Sequence, residues 1–188
     1  TYSGPIKLNG DLNSYSEVSN AAGLDFTGVI SDTGSITQAP GTSSATGIVR
    51  FSAANTFSGA TNLGSPAVGS LSKMVLANSL ALQNSTLNYT GTSKLAFSGT
   101  VASQVFTFGG LTGTSEIALQ NDATTPGAIS LKVGNNDSNT SYSGALSGAG
   151  SLTKIGTGTL SLTGANIYSG ATTINEGSLR VNANAHTA

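Results

Sequence analysis

The 188-residue chain contains no cysteine, which excludes a disulfide framework and thiolate metal sites. Charged residues make up 8% of it, against about 25% in an average soluble domain, so solubility rests on Ser, Thr and Asn. Seven basic and eight acidic residues leave a net charge of −1, and the bases Lys7, Arg50, Lys73, Lys94, Lys132, Lys154 and Arg180 are evenly spread. That balance offers no electrostatic footprint for nucleic acid or for an anionic membrane. No apolar run approaches the roughly 18 residues that a membrane-spanning helix needs, so no membrane insertion by this segment is expected. The chain opens at Thr1-Tyr2-Ser3-Gly4 without a basic stretch followed by an apolar one, which is read as a signal peptide already removed. Apolar positions at i, i+3, i+4 and i+7 are not sustained over three turns anywhere, so no helix is expected. Asn9-Gly10 is the single Asn-Gly or Asp-Gly pair, too few for a fold made of tight hairpins.

What the chain has instead is glycine, 25 residues of it, and short alternating bursts between glycines and asparagines. Residues 148–181 show this best. Leu152, Leu160, Leu162, Ile174, Leu179 and Val181 alternate with Ser, Thr or Lys. Alternation over four to six residues between such breakers marks short strands with one buried face. Apolar content of 37% is enough for a core, and no composition shift marks a linker. The whole of residues 1–188 is therefore read as one domain.

Internal repetition decides the architecture. Tyr142-Ser143-Gly144-Ala145-Leu146-Ser147-Gly148-Ala149-Gly150-Ser151-Leu152-Thr153 repeats the run from Phe26 to Thr37 at an offset of 116 (26 to 142). Gly158-Thr159-Leu160-Ser161-Leu162-Thr163 repeats Gly47-Ile48-Val49-Arg50-Phe51-Ser52, and Ala165-Asn166-Ile167-Tyr168-Ser169-Gly170-Ala171-Thr172 repeats Ala54-Asn55-Thr56-Phe57-Ser58-Gly59-Ala60-Thr61. Both of these stand at an offset of 111 (47 to 158), because the first copy carries extra residues around 39–46, including Pro40-Gly41. Insertions between strands of preserved spacing are what a solenoid tolerates. The expectation is all-β, a right-handed parallel β-helix of about eight coils at roughly 20 to 25 residues each. Its core is expected to be columns including Leu146, Leu152, Leu160, Leu162, Ile174, Leu179 and Val181. A β-sandwich is the less favoured alternative.

Residues 143–181 resemble the autotransporter-associated β-strand repeat of type V secretion passenger domains. The resemblance is carried by Gly150-Ser151-Leu152-Thr153-Lys154, Gly156-Thr157-Gly158-Thr159-Leu160, Asn166-Ile167-Tyr168-Ser169-Gly170-Ala171-Thr172 and Gly177-Ser178-Leu179. In that family the repeat is structural, part of a rod displayed outside the cell. The resemblance implies export to the bacterial cell surface and a scaffold or adhesive role, and it supplies no catalytic residue. A C-terminal membrane barrel and a protease or lipase module, both known from such proteins, are not found in these residues.

Candidate chemistry is sparse. Carboxylates stand at Asp11, Glu17, Asp25, Asp32, Glu116, Asp122, Asp137 and Glu176, and the pairs Asp11 with Glu17 and Asp25 with Asp32 sit beside turn residues where Asp caps backbone. His186 is the one histidine, two residues from the end of the sequence, and no Gly-x-Ser-x-Gly elbow accompanies an acid and a base. No enzyme, cofactor or resident metal is expected. Asn135, Asp137 and Asn139 alternate in a way that could set oxygens around Ca²⁺, but one carboxylate makes a weak site, and a hydrogen-bonded turn is the preferred reading. Tyr2, Phe26, Phe57, Tyr142 and Tyr168 each precede Ser-Gly or Thr-Gly, which suits a ring packed over each corner better than a sugar-stacking platform. Three roles stay open: a surface stalk, a filament subunit stacking on copies of itself through open coil ends, and an adhesin binding a surface or glycan through the looser residues 71–108.

Overall fold

The computed structural model describes residues 1–15, 23–39, 47–64 and 72–182. Glu17, His186, Pro40, Gly41 and Leu71, all mentioned above, lie outside them. Among the described residues there is no helix; short strands stack in parallel as a β-solenoid.

Each coil is bounded by three faces. The first carries Leu24–Phe26, Ile48–Phe51, Lys73–Leu76 and Lys94–Phe97, paired in that order. The second begins with Ile6–Leu8 on Ile30–Asp32, and the third with Leu12–Tyr15, Ile36–Ala39 and Thr61–Leu63. Two long strands, Leu82–Tyr89 and Val105–Gly113, run across the corner between the second and third faces. Above them the ladder divides. Val105–Gly113 pairs through its first half with Ser130–Val133, followed by Ser151–Lys154 and Thr172–Ile174. Its end pairs with Thr140–Tyr142, followed by Thr159–Leu162 and Ser178–Val181. Ile117–Ala118 and Leu146–Ser147 continue the first face, joined to it by the bridge from Phe97 to Asn121. The longest path of neighbouring strands is eight deep, and about six complete turns separate Leu12 from Thr172 at its two ends, close to the eight coils expected for the whole chain.

Alternation explains the core. In Ile48–Phe51, Ser130–Val133, Ser151–Lys154 and Thr159–Leu162 every second residue is buried. In-register stacking then aligns like with like. Phe26 stacks on Phe51 at 5.6 Å between ring centres, and Leu131 lies between Phe106 and Leu152. One apolar cluster joins Leu8 at one end to Leu162 near the other.

The coils differ in length. Asn55 meets Ile30 after 25 residues, whereas Asn166 meets Leu146 after 20. As a result the sequence repeat does not return to the same face. Phe26 lies on the first face, paired with Phe51, while its sequence counterpart Tyr142 lies on the third, paired with Leu162. The repeating unit is a strand, a corner and the next strand, and it can begin on any face.

Two corrections concern the core. Leu146, Leu152, Leu160 and Leu162 are buried and Leu179 is half-buried against the cluster, but Ile174 is 53% exposed and Val181 50%. Both project in phase with buried neighbours, but among the described residues their strands pair with a coil on one side only. Residues 71–108 are also not loose where described: Met74, Val75, Leu76, Leu87, Phe97 and Phe106 are core, and the region contributes one of the longest strands.

Candidate functional site

The repeated units hold one polar arrangement in common. Asn55 and Asn166, 111 residues apart in the two copies, are buried at corners. The Oδ1 of Asn55 accepts the Ile30 backbone N–H at 2.9 Å, and that of Asn166 accepts the Leu146 N–H at 3.0 Å. The following backbone matches bond for bond. Thr56 and Phe57 donate to the Ile30 carbonyl, as Ile167 and Tyr168 donate to that of Leu146. Four residues after each asparagine comes a glycine, Gly59 or Gly170, packed so closely on the previous coil that a Cβ would collide with the carbonyl of Gly34 or Gly150. Asparagine and glycine in this motif thus serve the corner, one by joining coils and the other by letting their backbones meet.

The second arrangement is an ammonium inside a turn. Lys154 shares the inward phase of Leu152 and is 1% exposed. Gly156, with φ of 68°, turns the chain so that carbonyls converge on the lysine. Its Nζ donates to the carbonyls of Ile155 (2.6 Å), Gly156 (2.7 Å) and Glu176 (3.4 Å), the last belonging to the next coil. Burial lowers the lysine's pKa from its ordinary 10.5, opposed by the charges of Glu176 and Asp137. Lys154→Met should cost about 1–3 kcal/mol in urea denaturation, since three part-buried carbonyls lose their donor. A lowered pKa means that the unfolded chain binds this proton more tightly. Stability should therefore rise with pH in the window just below 10.5, and the methionine variant should lose that slope. An unchanged slope would separate it from Lys154.

Six of the described carboxylates have a hydrogen-bond partner. Asp11 accepts the Ser35 N–H at 3.2 Å, Asp25 the Ser52 hydroxyl at 2.7 Å and Asp32 that of Ser31 at 3.3 Å. Glu116 accepts the hydroxyl of Ser147. Asp122 pairs with Lys73 at 3.0 Å and accepts the Gly99 N–H. Burial works to raise the Asp122 carboxyl, but Lys73, the Gly99 amide and Arg50 outweigh it and hold it below the usual range. Asp137 and Asn139 accept the N–H groups of Thr157 and Thr159 at 2.7 and 2.8 Å, each one coil ahead, and Asn135 donates to Asn84. The three candidate Ca²⁺ ligands thus each serve another coil, the next one for Asp137 and Asn139 and one two coils back for Asn135. Among the described residues no three His, Cys, Asp or Glu side chains form a metal-binding group.

The aromatics divide. Phe26, Phe57 and Tyr142 are buried, Tyr168 is half-buried against the core, and Tyr2 is 49% exposed. Tyr142 donates to the Ser115 carbonyl, and burial, with Tyr89 and Glu116 nearby, raises its phenol pKa. Rings buried in this way cannot stack on a sugar. On the outer surface, a polar groove of about 330 Å³ is lined by Asn139, Thr140, Ser141, Thr159, Ser161 and Arg180.

Sequence reasoning did not single out Asn55, Asn166 or Lys154. The signal for the asparagines was their recurrence at one place in both copies, and for Lys154 its phase with Leu152.

These corners and ladders define a β-solenoid whose repeated parts serve coil-to-coil adhesion. The passenger-associated transport repeat family matches residues 46–65 and 152–181, which contain Asn55 and Asn166 respectively. Comparison with curated proteins and with solved structures gives no match. The repeat match and the parallel solenoid together make this an autotransporter passenger-like repeat protein.

Proposed function

We propose that this chain is a non-enzymatic structural segment of a protein exported to the bacterial cell surface, a stiff stalk that spaces or presents what it is joined to. The observation that carries the reading is the recurrence, in both family-matched stretches, of a buried asparagine that ties one coil to the last. Side chains that recur in this chain are used to hold coils together, and of the carboxylates that a glycan-cleaving solenoid would gather in a groove, Asp11, Asp25 and Asp137 sit on separate backbone and hydroxyl partners. The polar groove around Arg180 supports a glycan-binding role less strongly, since it lacks an aromatic wall.

The test is to place the chain between a signal peptide and an autotransporter barrel in a bacterial host. It should reach the surface as a protease-resistant segment, and the purified chain should give a β-sheet far-UV circular dichroism spectrum with little helix. Retention inside the cell, or cleavage of a glycan panel by the purified chain, overturns the reading.

A further inference from the structure

We propose that a wedge between two coils midway along the rod is a docking site for an acidic peptide segment of another protein, one that carries a carboxylate beside an aliphatic side chain. The proposal goes beyond the stalk reading and does not depend on it. Lys94–Phe97 and Ile117–Ala118 stand on successive coils of the first face, joined through the bridge from Phe97 to Asn121 alone. Carried back three residues, that register would set Ala118 beside Lys94, yet the two do not pair. The coils part there. The space between them is about 280 Å³, lined by Leu95 and Ala96 from one coil and by Ala118, Gln120 and Pro126 from the next.

Its far wall is held in place. Asn121 donates from Nδ2 to the Gln104 Oε1 at 2.7 Å, and its Oδ1 accepts the N–H groups of Ala123 and Gly127. Asp122 reaches back to Lys73 and to the Gly99 N–H. A ligand entering a wall fixed in this way orders little of the protein.

Charge and backbone select the occupant. Three bases that are well separated in the sequence gather on this face: Lys73 and Lys94 are register partners, and Arg50 lies one coil earlier in the same outward phase. Arg50 stands beside Asp25 in register, and Lys73 is paired with Asp122. Lys94 is exposed at the mouth of the wedge and has no carboxylate partner among the described residues. One uncompensated ammonium above an aliphatic wall suits one carboxylate with an aliphatic neighbour. The edge of Lys94–Ala96 that faces the wedge also has no strand alongside it, so an extended peptide backbone can add hydrogen bonds there. A sugar acid carries a carboxylate too, but its ring hydroxyls would meet aliphatic walls that give them no partner.

The probe is acetyl-Leu-Glu-Leu-amide, titrated into the isotope-labelled full chain and followed by amide chemical shifts. Saturable shifts should appear at Lys94, Leu95, Ala118 and Gln120. Lys94→Gln should weaken binding about 3- to 5-fold, the upper end for an exposed ion pair, with an unchanged far-UV spectrum. Lys132→Gln removes a cation from a strand outside the first face and should leave binding as it is. Glutamine in place of the probe's glutamate should weaken binding to the wild-type chain by the same factor, and should weaken binding to Lys94→Gln no further. Absence of localised shifts overturns the proposal, as does a glutamine probe that binds the wild-type chain as tightly as the glutamate one. Equal losses in Lys94→Gln and Lys132→Gln reduce the effect to overall charge and overturn it too. Galacturonate moving the same amides as strongly as the peptide makes the wedge a sugar-acid site in place of a peptide site. The stalk reading stands in each of these cases, because surface display tests it separately.

Discussion

Leu162→Ala is expected to lower the free energy of unfolding by about 2–5 kcal/mol, while Ser161→Ala leaves it nearly unchanged. The two residues are neighbours on Thr159–Leu162, and adjacent strand residues take opposite faces. Leu162 is 1% exposed, in register between Tyr142 below and Val181 above. Ser161 faces outward in a stack with Ser141 and Arg180, where losing a hydroxyl leaves no void. Val181 is itself half exposed, so the last coil can settle into part of the space that the alanine leaves. The loss should therefore fall toward the lower part of that range, whereas Leu131→Ala, enclosed by Phe106 and Leu152, belongs toward the upper part. Solenoids unfold partly coil by coil, so amide hydrogen exchange should accompany urea denaturation. Exchange should quicken first in Ser178–Val181. Equal, small effects from Leu162→Ala and Ser161→Ala would overturn the assigned inward register.

The same strand shows how far sequence carries the fold. Alternation gives the direction of a side chain, and so the inward phase of Leu152, Leu160 and Leu162 was legible. Whether another coil lies above is a property of the stack, and alternation has no term for it. Ile174 and Val181 therefore read as core and are half exposed. The face reached by each copy was hidden for a related reason. Strand-corner-strand units look alike on all three sides, and coil length changes from 25 to 20 residues between Asn55 and Asn166. Phe26 and Tyr142 thus share a motif and occupy different faces. Lys154 was read as one more scattered base because a charge in the inward phase is normally too costly to bury. The carbonyls that Gly156 turns toward it offset that cost, and they come partly from a coil 22 residues away.

Asn55→Leu should destabilise the chain by about 2–5 kcal/mol, more than the same change at Asn166. Each buried backbone group left without its partner costs about 1–3 kcal/mol, so the number of such groups sets the order. Asn55 serves two. Its Oδ1 accepts the Ile30 N–H at 2.9 Å and its Nδ2 donates to the Ala81 carbonyl at 3.1 Å, so one amide connects three successive coils. Asn166 also accepts from the coil before it, at Leu146, but its Nδ2 turns back to the Gly164 carbonyl two residues away. Substitution there breaks one link between coils rather than two. Leucine keeps the branched outline and heavy-atom count and opens no cavity, and both variants carry the same added bulk, so the difference between them reads hydrogen bonding. Hydrogen exchange adds a local signature: the Ile30 amide should lose protection in Asn55→Leu, and the Leu146 amide in Asn166→Leu. If the Ile30 amide keeps its protection in Asn55→Leu, or if both variants lose the same small amount of stability, the buried asparagine is packing at the corner and does not join the coils.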